Sequence, residues 1–349
     1  MISPTDTALG FTLPARHARG RLVRLGTTLD TILAAHDYPP SIARLLAEAL
    51  TLTALLGAML KDAGGQLTLQ AQTNGGIVDL LVADYKGASL RGYVRHDADR
   101  LAQGPVEPSL FALFGRGYLA ITFDQAATKE RYQGIVPLEG GSLGEAAESY
   151  FAQSEQIPSL VRLAVSKTDA GWTAGGLLIQ HLPEGEEGRD RIHTRLDHPE
   201  WDHVRALGET AKSAELVDAT LPLDDLLWRL FHEEAEIRIT DPIGLAQGCR
   251  CDPDHIRDVI MRFGADERAD MADAAGLIPR RLRVLREELP CPGANPDPLI
   301  ARRPMSGPRV KQAFTNAGLT NASAVHGHVL LPNKASRPQL GRLTGRPFF

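Results

Sequence analysis

From Ser41 to about Lys61 the sequence reads as a helix with apolar residues around nearly its whole circumference. Its densest part, Ala49 to Leu60, is 12 residues long, short of the roughly 20 that cross a bilayer. A helix without a polar face has to be enclosed by its own domain, so the neighbouring chain must supply walls. The segments that follow alternate with the period of half-buried strands: Gln66 to Gln72, Ile77 to Ala83 and Ser89 to Arg95. Asn74-Gly75-Gly76 falls between the first two, and Asn-Gly tolerates the positive φ angles of tight hairpins. More strands are predicted at Gly117–Phe123, Tyr132–Val136, Leu160–Lys167 and Gly175–His181, with a helix at Leu143–Ser154. Upstream, residues 21–36 begin extended and turn helical at Leu29, Ile32 and Leu33, and Tyr38-Pro39-Pro40 breaks the chain before a Ser41 cap. The fold class that results is α+β, with an N-terminal core domain built on a largely antiparallel sheet.

At 349 residues the chain is long enough for two domains, and 43% hydrophobic residues exclude wholesale disorder. Three cysteines are too few for a disulfide framework and point to a reduced, cytoplasmic chain. The opening MISPTDTALG lacks the charged-then-apolar order of a signal peptide, so a soluble protein without membrane partners is expected. The net charge of −5 hides a break. From Arg280 to Phe349 there are 12 of the 38 bases but only 3 of the 43 acids, which leaves 26 bases against 40 acids before it. Nine prolines fall in the same stretch. A nucleic-acid arm and a disordered tail both fit such a composition, and the second reading is preferred.

Between the core and that tail, Pro183 to Gly188 marks a boundary, and two helical stretches follow, Trp201–Ala214 and Leu223–Ala235. Their apolar stripes (Val204 and Leu207; Leu226, Leu227, Leu230 and Phe231) need a partner surface. A short strand, Glu236–Ile239, leads to Cys249-Arg250-Cys251. Two thiols at this spacing can share a soft metal ion if other ligands complete a tetrahedron. Two incidental buried thiols fit equally well. His193, His198 and His203 do not share a helix face and read as an exposed polar turn. Gly140-Gly141-Ser142-Leu143-Gly144 matches a hydrolase nucleophile elbow, but Ser142 followed three residues later by Glu145 also makes a capping box. The antiparallel strands favour the cap. No catalytic constellation emerges, and a non-enzymatic protein is expected.

These segments together resemble a known family. "HDYP" at 36–39, "RYQGIVPLEG" at 131–140, "SYFAQSEQIP" at 149–158, "AGGLLIQHLP" at 174–183, "LLWRLFHEE" at 226–234 and "CRCDPDHI" at 249–256 are similar to the bacterial redox-regulated heat-shock holdases, the 33-kilodalton chaperonin family. The resemblance covers about residues 10–278. It implies an ATP-independent chaperone that binds unfolded proteins under heat and oxidative stress and forms a homodimer when activated. It also implies a substrate-binding core (10–185), a helical linker region (186–240) and a zinc-binding redox domain (241–286), with a basic tail (287–349) beyond. In the family, four cysteine thiolates hold zinc. Oxidation releases the metal, forms disulfides and unfolds the linker. Cys249 and Cys251 match the first ligand pair, as metal ligands and redox-active thiols. Trp201, Leu226, Leu227, Trp228, Leu230 and Phe231 are the candidate client-binding residues, on apolar surface uncovered near the linker.

The second pair, Cys-x-x-Cys, is absent: the chain instead reads Pro279-Arg280-Arg281-Leu282-Arg283-Val284-Leu285-Arg286, and the remaining Cys291 lies between two prolines. A Leu codon CTG before an Arg codon CGN contains TGC, a cysteine codon, one base out of frame. The two Leu-Arg pairs at 282–283 and 285–286 therefore fit a frameshifted Cys-x-x-Cys. With half its thiolates missing, a structural zinc site loses much of a binding energy of about 10–16 kcal/mol, so weak zinc binding and poor order from about residue 245 are expected. The rival readings are a thiol-dependent or zinc enzyme using Cys249 or Cys251, and nucleic-acid binding through the tail.

Overall fold

The computed structural model describes residues 5–60, 64–73, 75–126, 130–138, 140–182, 198–248, 260–264 and 266–268, together with the backbone at 278–281 and 288–291. In chain order the elements are β1 (Thr7–Leu13), β2 (Ala18–Leu25), α1 (Thr27–Ala34), α2 (Pro40–Gly57), β3 (Gln66–Gln72), β4 (Val78–Lys86) and β5 (Ser89–His96). Then come α3 (Ala98–Gln103), α4 (Leu110–Phe114), β6 (Tyr118–Asp124), β7 (Arg131–Pro137), α5 (Leu143–Tyr150), β8 (Ser159–Thr168) and β9 (Gly171–His181). The helices α6 (Pro199–Glu209), α7 (Ser213–Val217) and α8 (Leu223–Phe231) follow, with the short strands β10 (Arg238–Ile239), β11 (Ile243–Gly244) and β12 (Ala246–Gln247). Residues 1–250 and 283–286 form one compact unit. A hairpin, β13 (Ile278–Arg281) with β14 (Glu288–Cys291), belongs to the second, 251–282 and 287–349.

The α+β class is correct. One sheet runs β10-β1-β2-β9-β8, with β11 also paired to β1, and the other runs β12-β5-β4-β3-β6-β7. Every pairing is antiparallel except β12 with β5. The all-apolar helix α2 packs on β2, β8 and β9 of the first sheet and on β3, β4 and β5 of the second. Its residues from Ala49 to Gly57 are all buried. By length and composition α2 is the one helix among the described residues able to cross a membrane, but 78% of it lies inside the protein, where it is a core helix.

Three local expectations change. Ser41 does not cap α2: Pro39 is the N-cap and Pro40 the first helical residue, where a missing N–H costs nothing. The helix expected over Trp201–Ala214 is two helices. Thr210 closes α6 with its hydroxyl on the Leu207 carbonyl (2.6 Å), and Glu215 accepts from the Lys212 N–H (3.1 Å) to start α7. Order also continues past 245. Leu245 donates to the Asp6 carbonyl (2.7 Å), Ala246 to that of Ala88 (3.0 Å) and Gly248 to that of Leu90 (2.8 Å), because the strand edges of the core offer free carbonyls.

Candidate functional site

Strand periodicity gives the first sheet two different faces. Gly176, Leu178 and Val23 lie on the side of α2; Leu22, Leu177 and Ile179 lie on the other. On that second face Leu9, Phe11 and Leu13 of β1 join Leu22, Leu177, Ile179 and Leu160 in one apolar surface. The helices α6, α7 and α8 cover it with Trp201, Val204, Leu216, Leu226, Leu227, Leu230 and Phe231. The Phe11 and Phe231 rings meet at 5.6 Å. Two glycines set the approach of the cover. A Cβ on Gly208 would stand 2.5 Å from Ile179 Cδ1, and one on Gly175 would stand 2.0 Å from the Leu216 carbonyl oxygen. Each fully buried Leu or Phe adds about 1.5–3 kcal/mol to the packing of the cover on the sheet.

Two polar devices pin the same helices. Arg16, just after β1, donates through Nε to Glu234 (2.8 Å) and through Nη1 to Glu200 (2.5 Å). His203 Nε2 lies 2.7 Å from the other Glu234 oxygen. Burial alone would raise the Glu234 pKa, but the bonds from Arg16 and His203 outweigh it and hold the carboxyl below its ordinary value. The second device is Arg24 on β2. It is fully buried and donates to the backbone carbonyls of Leu216 (3.0 Å), Leu221 (2.5 Å) and Glu215 (3.0 Å).

Of the six residues singled out in the sequence, the structure brings five together under the cover: Trp201 (3% exposed), Leu226, Leu227, Leu230 and Phe231. Trp228 faces outward at 62% exposure, its ring 6.2 Å from that of His232. Sequence reasoning found the helical half of this interface and missed the sheet half and both arginines. An arginine inside the apolar strand stretch Leu22-Val23-Arg24-Leu25 was the available signal, since a charge there needs buried partners.

The Ser142 cap is observed: its Oγ accepts from the Glu145 N–H at 3.2 Å, while Glu145 Oε2 takes the Gly141 N–H at 2.9 Å. The strand before it, β7, is antiparallel to its neighbour, which removes the setting of a nucleophile elbow. His198 caps α6 by accepting from the Glu200 N–H (3.2 Å), and His203 lies within that helix, so these two are not in an exposed turn. Pro199 at the first helical position starts the helix earlier. His193 lies outside the described residues, as do Cys249 and Cys251. Among the described residues no group of three or more His, Cys, Asp or Glu side chains is arranged to hold a metal ion. A tetrathiolate zinc site does not fit this chain, which has three cysteines in all.

The fold is thus a mixed α+β core with one apolar sheet face covered by three helices. Residues 6–278 match the family model described as Hsp33 protein, and the chain belongs to the Hsp33 family. It is 43% identical over 281 residues to the 33 kDa chaperonin of Caulobacter vibrioides, across 78% of this chain and 90% of that protein. With the 33 kDa chaperonin of Shigella boydii it shares 36% identity over 252 residues, across 72% and 80%. The crystal structure of the 33 kDa chaperonin (heat shock protein 33 homolog) of Thermotoga maritima has the same fold. Its TM-score is 0.66 at 21% identity, over 82% of this chain and 94% of that one.

Proposed function

We propose that this protein is an ATP-independent holdase that captures unfolded proteins on the sheet face beneath α6, α7 and α8, with a redox switch that is impaired in this chain. The observation that carries the reading is the two-sided apolar interface. The sheet half (Leu9, Phe11, Leu13, Leu22, Leu177 and Ile179) and the helical half (Trp201, Leu226, Leu227, Leu230 and Phe231) are buried together in one apolar cluster. Parting them yields the contiguous apolar surface that unfolded chains bind.

Cys249 and Cys251 are the residues that would be oxidised, but two thiolates cannot complete the four-sulfur shell of the family. A shifted reading frame would account for the basic, proline-rich stretch that follows residue 278, where the match to the family model ends. Genomic DNA that encodes no Cys-x-x-Cys in a neighbouring frame at about 282–286 would refute the shift. The role is non-enzymatic and cytoplasmic, and a homodimer forms when the cover opens. Light scattering of a heat-denatured client, with and without oxidant, tests the function: suppression of aggregation that depends little on oxidant is expected. No suppression in either state would reject it.

A further inference from the structure

Arg24 is the least expected side chain in the molecule. It sits in the centre of a sheet, flanked by β1 and β9, and is fully buried. No carboxylate bonds to it among the described residues: its three hydrogen-bond partners there are backbone carbonyls, all from residues 215–221. Glu215 and Leu216 belong to the last turn of α7, whose carbonyls have no helical donors of their own. One guanidinium therefore caps that helix and clips the following loop. Asp218 is the charged neighbour acting on it through space, while burial lowers its pKa. It stays charged, since an arginine does not lose its proton inside a protein.

The opposite strand is shaped for the same purpose. Arg24 pairs in register with Gly175 on β9, and Gly175 is where the Leu216 carbonyl oxygen approaches too closely for any Cβ. A cation on one strand and a missing side chain on the next thus make a socket for a single turn of backbone. Hydrophobic burial is non-directional, and the Arg16 bonds reach Glu200 on α6 and Glu234 just after α8, so neither fixes the position of α7. The guanidinium fork is directional, and it marks where the cover docks.

We infer that Arg24 is the positioning residue of the cover, a buried latch whose grip on the 215–221 backbone decides whether the client-binding face is hidden. This rests on the holdase reading above for its consequence, but not for its geometry. When the carbonyls leave, the guanidinium loses all three partners in an apolar site, so intermediate positions of α7 are unfavourable. The latch therefore gives two states, docked or released. Because its partners are backbone atoms, it works whatever the state of the cysteines.

Hydrogen exchange on the full chain tests this directly. In Arg24→Met, amides of 213–231 should exchange roughly tenfold faster or more, while those of α2 and β3 keep their protection. Arg24→Lys, with one ammonium in place of a fork, should fall between. Gly175→Ala, which leaves Arg24 intact but fills the socket, should loosen the same segment. In Arg24→Ala, millimolar guanidinium chloride should restore protection to 213–231, and the same concentration of urea should not. Unchanged exchange in Arg24→Met, or loss of protection spread evenly over α2 and β3, would overturn the latch. Selective release of 213–231 without any gain in suppression of client aggregation would leave the latch standing and count against the holdase surface instead.

Discussion

At Glu48, on the α2 side of a polar cleft shared with Glu145, Glu148, Arg162, Arg205 and Glu209, burial and charge pull in opposite directions. Burial pushes this carboxyl up to about 7, with Arg44 opposing the shift. A carboxyl raised in the folded state contributes stability fully below its unfolded pKa of about 4.5, and that stability is lost as pH rises through 7. Urea midpoints should accordingly fall between pH 5 and pH 8. Glu48→Gln should remove most of that dependence and add about 3 kcal/mol at pH 8. An unchanged pH profile in the variant would show the carboxyl to be solvated. Glu234 has the opposite sign. Its pKa is depressed, so its contribution is present above the ordinary carboxylate range and is lost as pH falls through its folded value. As pH falls through that depressed value the Arg16 clasp should open, seen as a rise in Trp201 accessibility, and Glu234→Gln should show the same looseness already at neutral pH.

Among the elements, α8 is the one whose two faces differ most in consequence. Phe231 lies fully buried against Phe11, whereas Trp228 is exposed. Phe231→Ala should cost about 3–5 kcal/mol and loosen the cover, while Trp228→Ala should stay within about 0.5 kcal/mol; denaturant unfolding compares them. Ser142→Ala should cost about 1 kcal/mol through the lost cap of α5 and leave the cover undisturbed. Elements of this kind differ in how well the sequence announces them. The strands β3, β5 and β8 could be read because one face of each is less buried, so alternation survives in the residues. No alternation marks β1, since Thr7-Ala8-Leu9-Gly10-Phe11 is buried on both faces, and it escaped the reading. The two-residue strands β10, β11 and β12 are too short to carry any period. The candidate site divides in the same way: the stripes of α6 and α8 are visible at helical spacing, but their partner surface exists only after β1, β2, β8 and β9 assemble. Arg24 makes sense only once three carbonyls from almost 200 residues later arrive.

For the whole molecule, the decisive number is three cysteines. A chain that cannot complete a tetrathiolate should unfold at the same temperature with zinc or with a chelator present. A zinc-dependent rise of several degrees would mean that a full ligand shell forms from other donors. Since both sheets and the cover lie within residues 5–248, deletion of 279–349 should leave the unfolding midpoint of the core unchanged, as circular dichroism would show. The return of the chain after α8 has a further effect. Upstream, β9 is stitched into the sheet as far as His181, and downstream β10 and β11 are paired to β1 while β12 is paired to β5. The helices α6 to α8 therefore lie, in sequence, between two strands that are both paired into the first sheet. Because both flanking strands belong to the same chain, docking of these helices on the sheet is a first-order event, independent of protein concentration.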